Sequence, residues 1–114
     1  MNREIKFRCW IKHYSIMYDW DLIIRKNKIN LLTKQHPSCP IMQYTGLKDC
    51  NGVEIYEGDI LSDIDNNLFW LVGFYDRGCF VAHNPKDALE YVMLDDYTFK
   101  VIGNIYENPE LLTK

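Results

Sequence analysis

The stretch MQYTGLKDCNGVEIYEGDIL, Met42 to Leu61, decides the fold. Asn51-Gly52 is a strong short-range hairpin signal, because both residues tolerate the positive φ that a type I′ turn demands. Leu47 precedes this turn. Val53 and Ile55 follow it at the two-residue period of a strand with one buried face. Glu57-Gly58-Asp59 is a second turn, in which Gly58 supplies a left-handed or bulged conformation. From it the chain enters a strand over Ile60 to Ile64.

Upstream, Ile5, Phe7, Cys9 and Ile11 alternate with Lys6, Arg8 and Trp10, the pattern of a strand with one face inward. Trp10 is then an aromatic on the outer face. Ile16-Met17-Tyr18 returns as the second strand of a hairpin. Leu22-Ile23-Ile24 is a short buried run, Arg25 to Lys28 a charged turn, and Ile29 to Leu32 an antiparallel strand. Pro37 and Pro40 make Thr33 to Pro40 a loop, since each removes a backbone donor and disfavours helix before it.

Downstream, Asp65-Asn66-Asn67 is a turn, and Leu68 to Phe74, LFWLVGF, is apolar on both faces. That predicts a central strand covered on both sides. Tyr75 to Gly78 turns the chain into a strand over Cys79 to Ala82. Asn84-Pro85 has the form of a helix cap followed by proline at the first helical position, with Asp87 in the first turn. One short helix is therefore expected near 85–93, with an extended segment as the competing reading. Tyr97, Phe99 and Val101 alternate with Thr98 and Lys100 in a strand reaching about Tyr106, and Asn108-Pro109 starts a C-terminal helical turn.

The opening REIKFRCW, the segment IMQYTGLKDCNGVEIYEGDIL and the distant VIGNIYENPELL together resemble, in this order, the YopX family of small bacteriophage and prophage proteins. The resemblance reaches both ends of the chain, while His13 to Ser38 and Ser62 to Leu94 are generic or divergent. It implies a phage or prophage origin and a mostly β fold, and brings no established activity and no catalytic residues. Cys50 stands where the family usually carries a charged or polar residue.

At 114 residues the chain is expected to form a single domain, residues 1–114, able to bury roughly two-thirds of its unfolded surface. Within it, 1–40 is a β-hairpin region and 41–114 a barrel-like region. A hydrophobic fraction of 47% and an aromatic fraction of 14% place it among folded globular chains and exclude intrinsic disorder. The net charge of −3 neither implies nor excludes a local nucleic-acid surface. Without a bilayer-spanning apolar run or the hydrophobic core of a signal peptide, the expected location is the host cytoplasm, with no membrane partner. Cys9, Cys39, Cys50 and Cys79 are expected to be reduced there.

Short strands, tight turns and little helix predict a mainly β fold, either a small antiparallel barrel or a strongly bent sheet, with an SH3-like barrel in the C-terminal half. No chemical motif rises above it. His36, Cys39, Cys50 and either Cys79 or His83 can be grouped on paper as zinc ligands, but the spacing is undiagnostic, and no metal or other cofactor is expected. A calcium loop fails, because placing Gly52 sixth puts Leu47 first and Gly58 last. Glu57 and Asp59 are the best carboxylate pair for acid and base work, yet turn duty explains Asp59 better. No catalytic residues are assigned.

The expected role is therefore binding or oligomerisation without catalysis. The candidate contact surface comprises Gln43, Tyr44, Thr45, Asp49, Asn51, Tyr56, Glu57 and Asp59 from the turns, with Asn104, Tyr106 and Asn108 from GNIYEN. The plainer reading of Asn104 and Asn108 is that they satisfy backbone groups and cap the last turn. Three tryptophans and eight tyrosines exceed what such a core comfortably hides, which points to a homo-oligomer. The alternatives are a nucleic-acid-binding module using Arg8, Trp10 and Lys12, and an antagonist that grips a host protein or sequesters a nucleotide signal.

Overall fold

The computed structural model describes residues 4–26, 39–63, 68–75, 79–94 and 99–113. The chain divides into two compact units, Met1–Tyr44 and Thr45–Lys114, with the division inside a strand. The expectations for Ile29 to Leu32, for Asn27 and Lys28, for most of the Thr33 to Pro40 loop, and for the segments 64–67, 76–78 and 95–98 lie outside the described residues, as does His36.

In the first unit, β1 (Phe7–Ile11) pairs antiparallel with β2 (Ile16–Tyr18), Cys9 facing Tyr18 and Ile11 facing Ile16. On its other side β1 pairs with the start of β3 (Ile41–Lys48), Phe7 facing Gln43 and Cys9 facing Ile41. Between β2 and β3 comes a helix that the hydrophobic pattern did not announce, α1 (Trp20–Arg25). Its signals were polar: Asp19 caps it by accepting from the Leu22 N–H at 2.8 Å, with Asp21 in the first turn and Arg25 in the last. The expected buried run reduces to Ile23, which is fully buried while Ile24 is exposed. Ile23 joins Cys9, Ile11 and Cys39 in one apolar cluster flanked by Tyr18, Trp20 and Ile41. Burial first, and Cys39 second, push the Cys9 thiol up to about 11. At neutral pH it stays protonated and packs as a small hydrophobe.

The second unit is mainly β. The end of β3 turns into β4 (Glu54–Tyr56), and a second tight turn leads to a five-stranded antiparallel sheet. Its strands are β5 (Asp59–Asp63), β6 (Leu68–Tyr75), β7 (Cys79–Asn84), β8 (Asp87–Met93) and β9 (Phe99–Asn104). Their spatial order is β8-β7-β6-β5-β9, so four strands meander and the fifth returns beside the first. A 3-10 helix, Pro109–Thr113, supplies the expected C-terminal turn. One face of the sheet carries Leu61, Trp70, Val72, Phe80, Ala82 and Phe99, which with Ile55 and Leu94 form the core. Each full burial of a large apolar side chain there stabilises the fold by about 1.5–3 kcal/mol. Among the described residues, no helix is long and apolar enough to cross a membrane.

Three expectations are corrected. β6 is central as predicted, but it is not covered throughout: Trp70 and Val72 are buried, whereas Leu68 and Phe74 are exposed. The helix near 85–93 is instead the edge strand β8. Asn84 Oδ1 accepts from the Lys86 N–H at 2.9 Å, the same local bond that an N-cap makes, and here it closes a β7–β8 turn. Pairing with β7 then engages the backbone that a helix would have used, and the period-two pattern of half-buried Val92 and buried Leu94 prevails over helix propensity. The third correction concerns the Asn51-Gly52 turn. Gly52 alone of the pair has positive φ, at 82°, and its N–H donates to the Asp49 carbonyl. Cys50 and Asn51 occupy the centre of that turn and Gly52 forms the left-handed bulge after it, so the turn is not type I′.

Candidate functional site

The signature residues of the second unit belong to three turns gathered around the two ends of β9. At one end lies the Asp49 turn. Asp49 Oδ1 accepts from the Asn51 and Val53 N–H groups at 2.8 and 2.9 Å, and Oδ2 from the Val101 N–H at 2.8 Å. The Cys50 N–H donates to the Phe99 carbonyl. This turn thereby covers the outer edge of β9, which β5 leaves unpaired.

At the other end, Asp59 faces Asn104 across the β5–β9 ladder. Asp59 is buried, and its Oδ2 accepts from the Tyr56 N–H at 2.7 Å, closing the Glu57-Gly58 turn. The Gly58 N–H donates to the Val72 carbonyl, and the Gly58 carbonyl accepts from the Ile105 N–H. Asn104 Oδ1 accepts from the Tyr106 and Glu107 N–H groups, while its Nδ2 donates to Glu107. Asn108 completes the corner: its Oδ1 accepts from the Asn104 N–H, and its own N–H donates to the Asn104 carbonyl. The Asn108 side chain lies against Gly103, where an added Cβ would come within 2.5 Å of Oδ1.

The chemistry of this cluster is that of side-chain acceptors engaged by backbone donors. For Asp49, desolvation pushes the carboxyl pKa up. The three N–H donors and Lys100 outweigh it and hold the pKa below the ordinary 3.8. A depressed folded-state pKa stabilises the fold above the unfolded value, and this contribution is lost as pH falls from there through the folded value. Asp49→Asn is therefore expected to cost about 2 kcal/mol at neutral pH, from the weakened charged hydrogen bonds. Urea titrations at pH 7 and at a pH well below 3.8 check it, because the variant should lose less stability than the parent over that interval.

The remaining candidates are dispersed. Thr45 is buried, with Oγ1 donating to the Ile55 carbonyl at 2.7 Å. Tyr56 is buried, Glu57 and Tyr106 are half-buried, and Asn51 is exposed. Gln43 and Tyr44 belong to the first unit, where Lys6 sits 4.9 Å over the Tyr44 ring and pairs with Glu4. Arg8 and Trp10 are half-buried opposite Met42 and Met17, while Lys12 is exposed. Cys50 is exposed and Cys79 half-buried, and no group of three or more potential metal ligands occurs among the described residues. Of the tryptophans, Trp70 is buried and Trp10 and Trp20 half-buried. Tyr14, Phe74 and Tyr91 are the aromatics that stand exposed among the described residues.

Sequence reasoning missed a cavity of about 430 Å³ in the second unit, between the start of β6, the β7–β8 turn and the 3-10 helix. Its walls come from three distant segments, so no local pattern could have marked it.

A family model for the YopX protein matches residues 6–113. The chain is also similar to a solved structure described as protein EF1440 from Enterococcus faecalis, with 28% identity, a TM-score of 0.68, and coverage of 97% of this chain and 99% of that one. Among curated proteins, none matches. With nearly its whole length matched, the chain belongs to the YopX protein family.

Proposed function

We propose that this chain is a non-catalytic binding module of phage or prophage origin that works in the host cytoplasm as a homo-oligomer, joined through the outer edge of β8. The phage origin rests on the resemblance of sequence. The observation that carries the oligomer is the character of β8. It ends the five-stranded sheet, and among the described residues no strand lies along its outer side. It contains neither lysine nor proline, the usual protection of such an edge. Leu89 is 90% exposed, and Tyr91 and Met93 are exposed beside it, an apolar row that a second copy would cover. The nearby charges are engaged within the strand and its turn: Asp87 accepts from the Leu89 N–H and Glu90 from Asn84 Nδ2. Antiparallel pairing of β8 with β8 obeys twofold symmetry, so one surface serves both partners.

Backbone donors held by Asp49, Asp59 and Asn104 support a scaffold role for the signature turns. The return of β9 beside β5 supports reading the second unit as an SH3-like barrel. For nucleic acid, Lys12 alone of its three candidate residues is exposed, which favours a protein partner. Multi-angle light scattering at micromolar concentration is expected to give a dimer or larger, and Leu89→Lys a monomer with unchanged circular dichroism. A parent that runs as a clean monomer would contradict the proposal.

A further inference from the structure

Leu89, Tyr91 and Met93 recur at every second position of β8 and so share one face of the strand. All three are exposed, Leu89 the most. Val92 points the other way and packs against the core. The pairing of Tyr91 with His83, Val92 with Ala82 and Met93 with Val81 runs through this stretch without a shift, so the alternation holds along it. By the same alternation Glu90 lies on the face of Val92, where it accepts from Asn84 Nδ2.

In a sheet that continues from one copy into another, the twofold axis stands perpendicular to the sheet, and facing side chains lie on the same side of it. The axis then passes through one residue of β8, and the choice of that residue fixes every facing pair. Set at Leu89 or earlier, the axis leaves Met93 opposite no residue of the second β8; set at Val92 or later, it leaves Leu89 so. Set at Glu90, it puts two carboxylates directly opposite each other and Met93 opposite Asp87. Like charges in that position destabilise a pair, whereas aromatic and apolar pairs stabilise one.

We infer that β8 meets β8 of a second copy with Tyr91 on the axis, so that Tyr91 packs against the second copy's Tyr91 and Leu89 against the second copy's Met93. This register alone gives each member of the exposed row an apolar partner. It also sets Glu90 opposite the aliphatic Val92 of the second copy. Tyrosine is enriched at the energetic centres of interfaces, and here its ring stands in the middle of the contact. The inference rests on the β8 contact proposed above and adds which residues of the second copy complete it.

Disulfide trapping in the full chain reads the register. Cys50→Ser and Cys79→Ser first remove the exposed and half-buried thiols. In that background Leu89→Cys and Met93→Cys chains are mixed and oxidised with copper phenanthroline, with light scattering on the same samples before oxidation. A linked dimer is expected from the mixture, because the two positions face each other across an axis at Tyr91, within reach of a disulfide. Either chain alone should stay unlinked, since equivalent Leu89 or Met93 positions are then offset by about 13 Å along the strands. Tyr91→Cys, which leaves Leu89 and Met93 in place, should link to its own copy, and Glu90→Cys should not. A parent that scatters as a monomer overturns both the β8 contact and this register. A dimer in which Glu90→Cys links to itself, or in which neither Tyr91→Cys nor the mixture links, overturns the register and leaves the oligomer standing.

Discussion

Gly103→Ala is expected to destabilise the fold by about 2–3 kcal/mol, lowering Tm by about 8–12 °C for a chain of this size. The added Cβ would meet Asn108 Oδ1 at 2.5 Å, Cγ at 2.7 Å and Cβ at 2.9 Å. Asn108 cannot simply swing aside. Its Oδ1 accepts the Asn104 N–H, and its backbone N–H is bonded to the Asn104 carbonyl. The methyl therefore either forces the β9 corner apart or displaces the amide and strands a part-buried donor, and both costs run to about 1–3 kcal/mol. A double-mutant cycle separates the clash from a generic strand effect. In an Asn108→Gly background the second side chain is gone, so Gly103→Ala should cost less than half as much. Equal costs in both backgrounds would show that the contact does not matter.

Asp59→Ala is the second large effect, about 3 kcal/mol by chemical denaturation. The carboxylate is 1% exposed, and its Oδ2 holds the Tyr56 N–H at 2.7 Å inside a turn that is itself bonded to Val72 and Ile105. Removing it leaves a buried backbone donor without its acceptor and frees the turn that sets the start of β5. Asp59→Asn keeps the shape and one acceptor, so about 1–2 kcal/mol is expected, the difference between a charged and a neutral acceptor. A catalytic carboxylate would behave otherwise. Its asparagine variant would retain full stability, and sometimes gain some, because active-site groups are commonly held at a cost to the fold.

How far the fold can be read from the residues depends on whether local or distant partners decide each element. β1, β2, β5, β6 and β7 were legible because alternation or a short apolar run needs no knowledge of the partner strand. The two Asn-Pro steps show where that ends. Asn84-Pro85 and Asn108-Pro109 carry the same local signal, and their fates differ through what lies alongside: β7 draws the residues after Pro85 into a strand, whereas those after Pro109 make a 3-10 helix. Even there, the Asn108 side chain serves Asn104 and not the helix that follows it. Trp10 was expected outward, yet Met42 and Met17 flank its face of the sheet and leave it half-buried. The candidate polar residues were singled out because they interrupt apolar stretches. That signal located the turns, and most of the donors they serve are local; the Asp49–Val101 bond and the facing of Asp59 and Asn104 depend on β9, whose register with β5 joins residues 36 to 45 positions apart.

Native-state amide hydrogen exchange bears most directly on the claim that these signature turns are internal scaffold. The Tyr56, Val101, Asn104 and Ile105 amides donate to Asp59, Asp49, Asn108 and Gly58 in turn. They are predicted to be protected almost as strongly as the central-strand amides of β5 and β6, opening only with global unfolding. Exchange of these four at rates typical of mobile loops, in a protein whose β5 and β6 amides remain protected, would contradict it and return Asp49, Asp59 and Asn108 to the pool of groups available for a ligand.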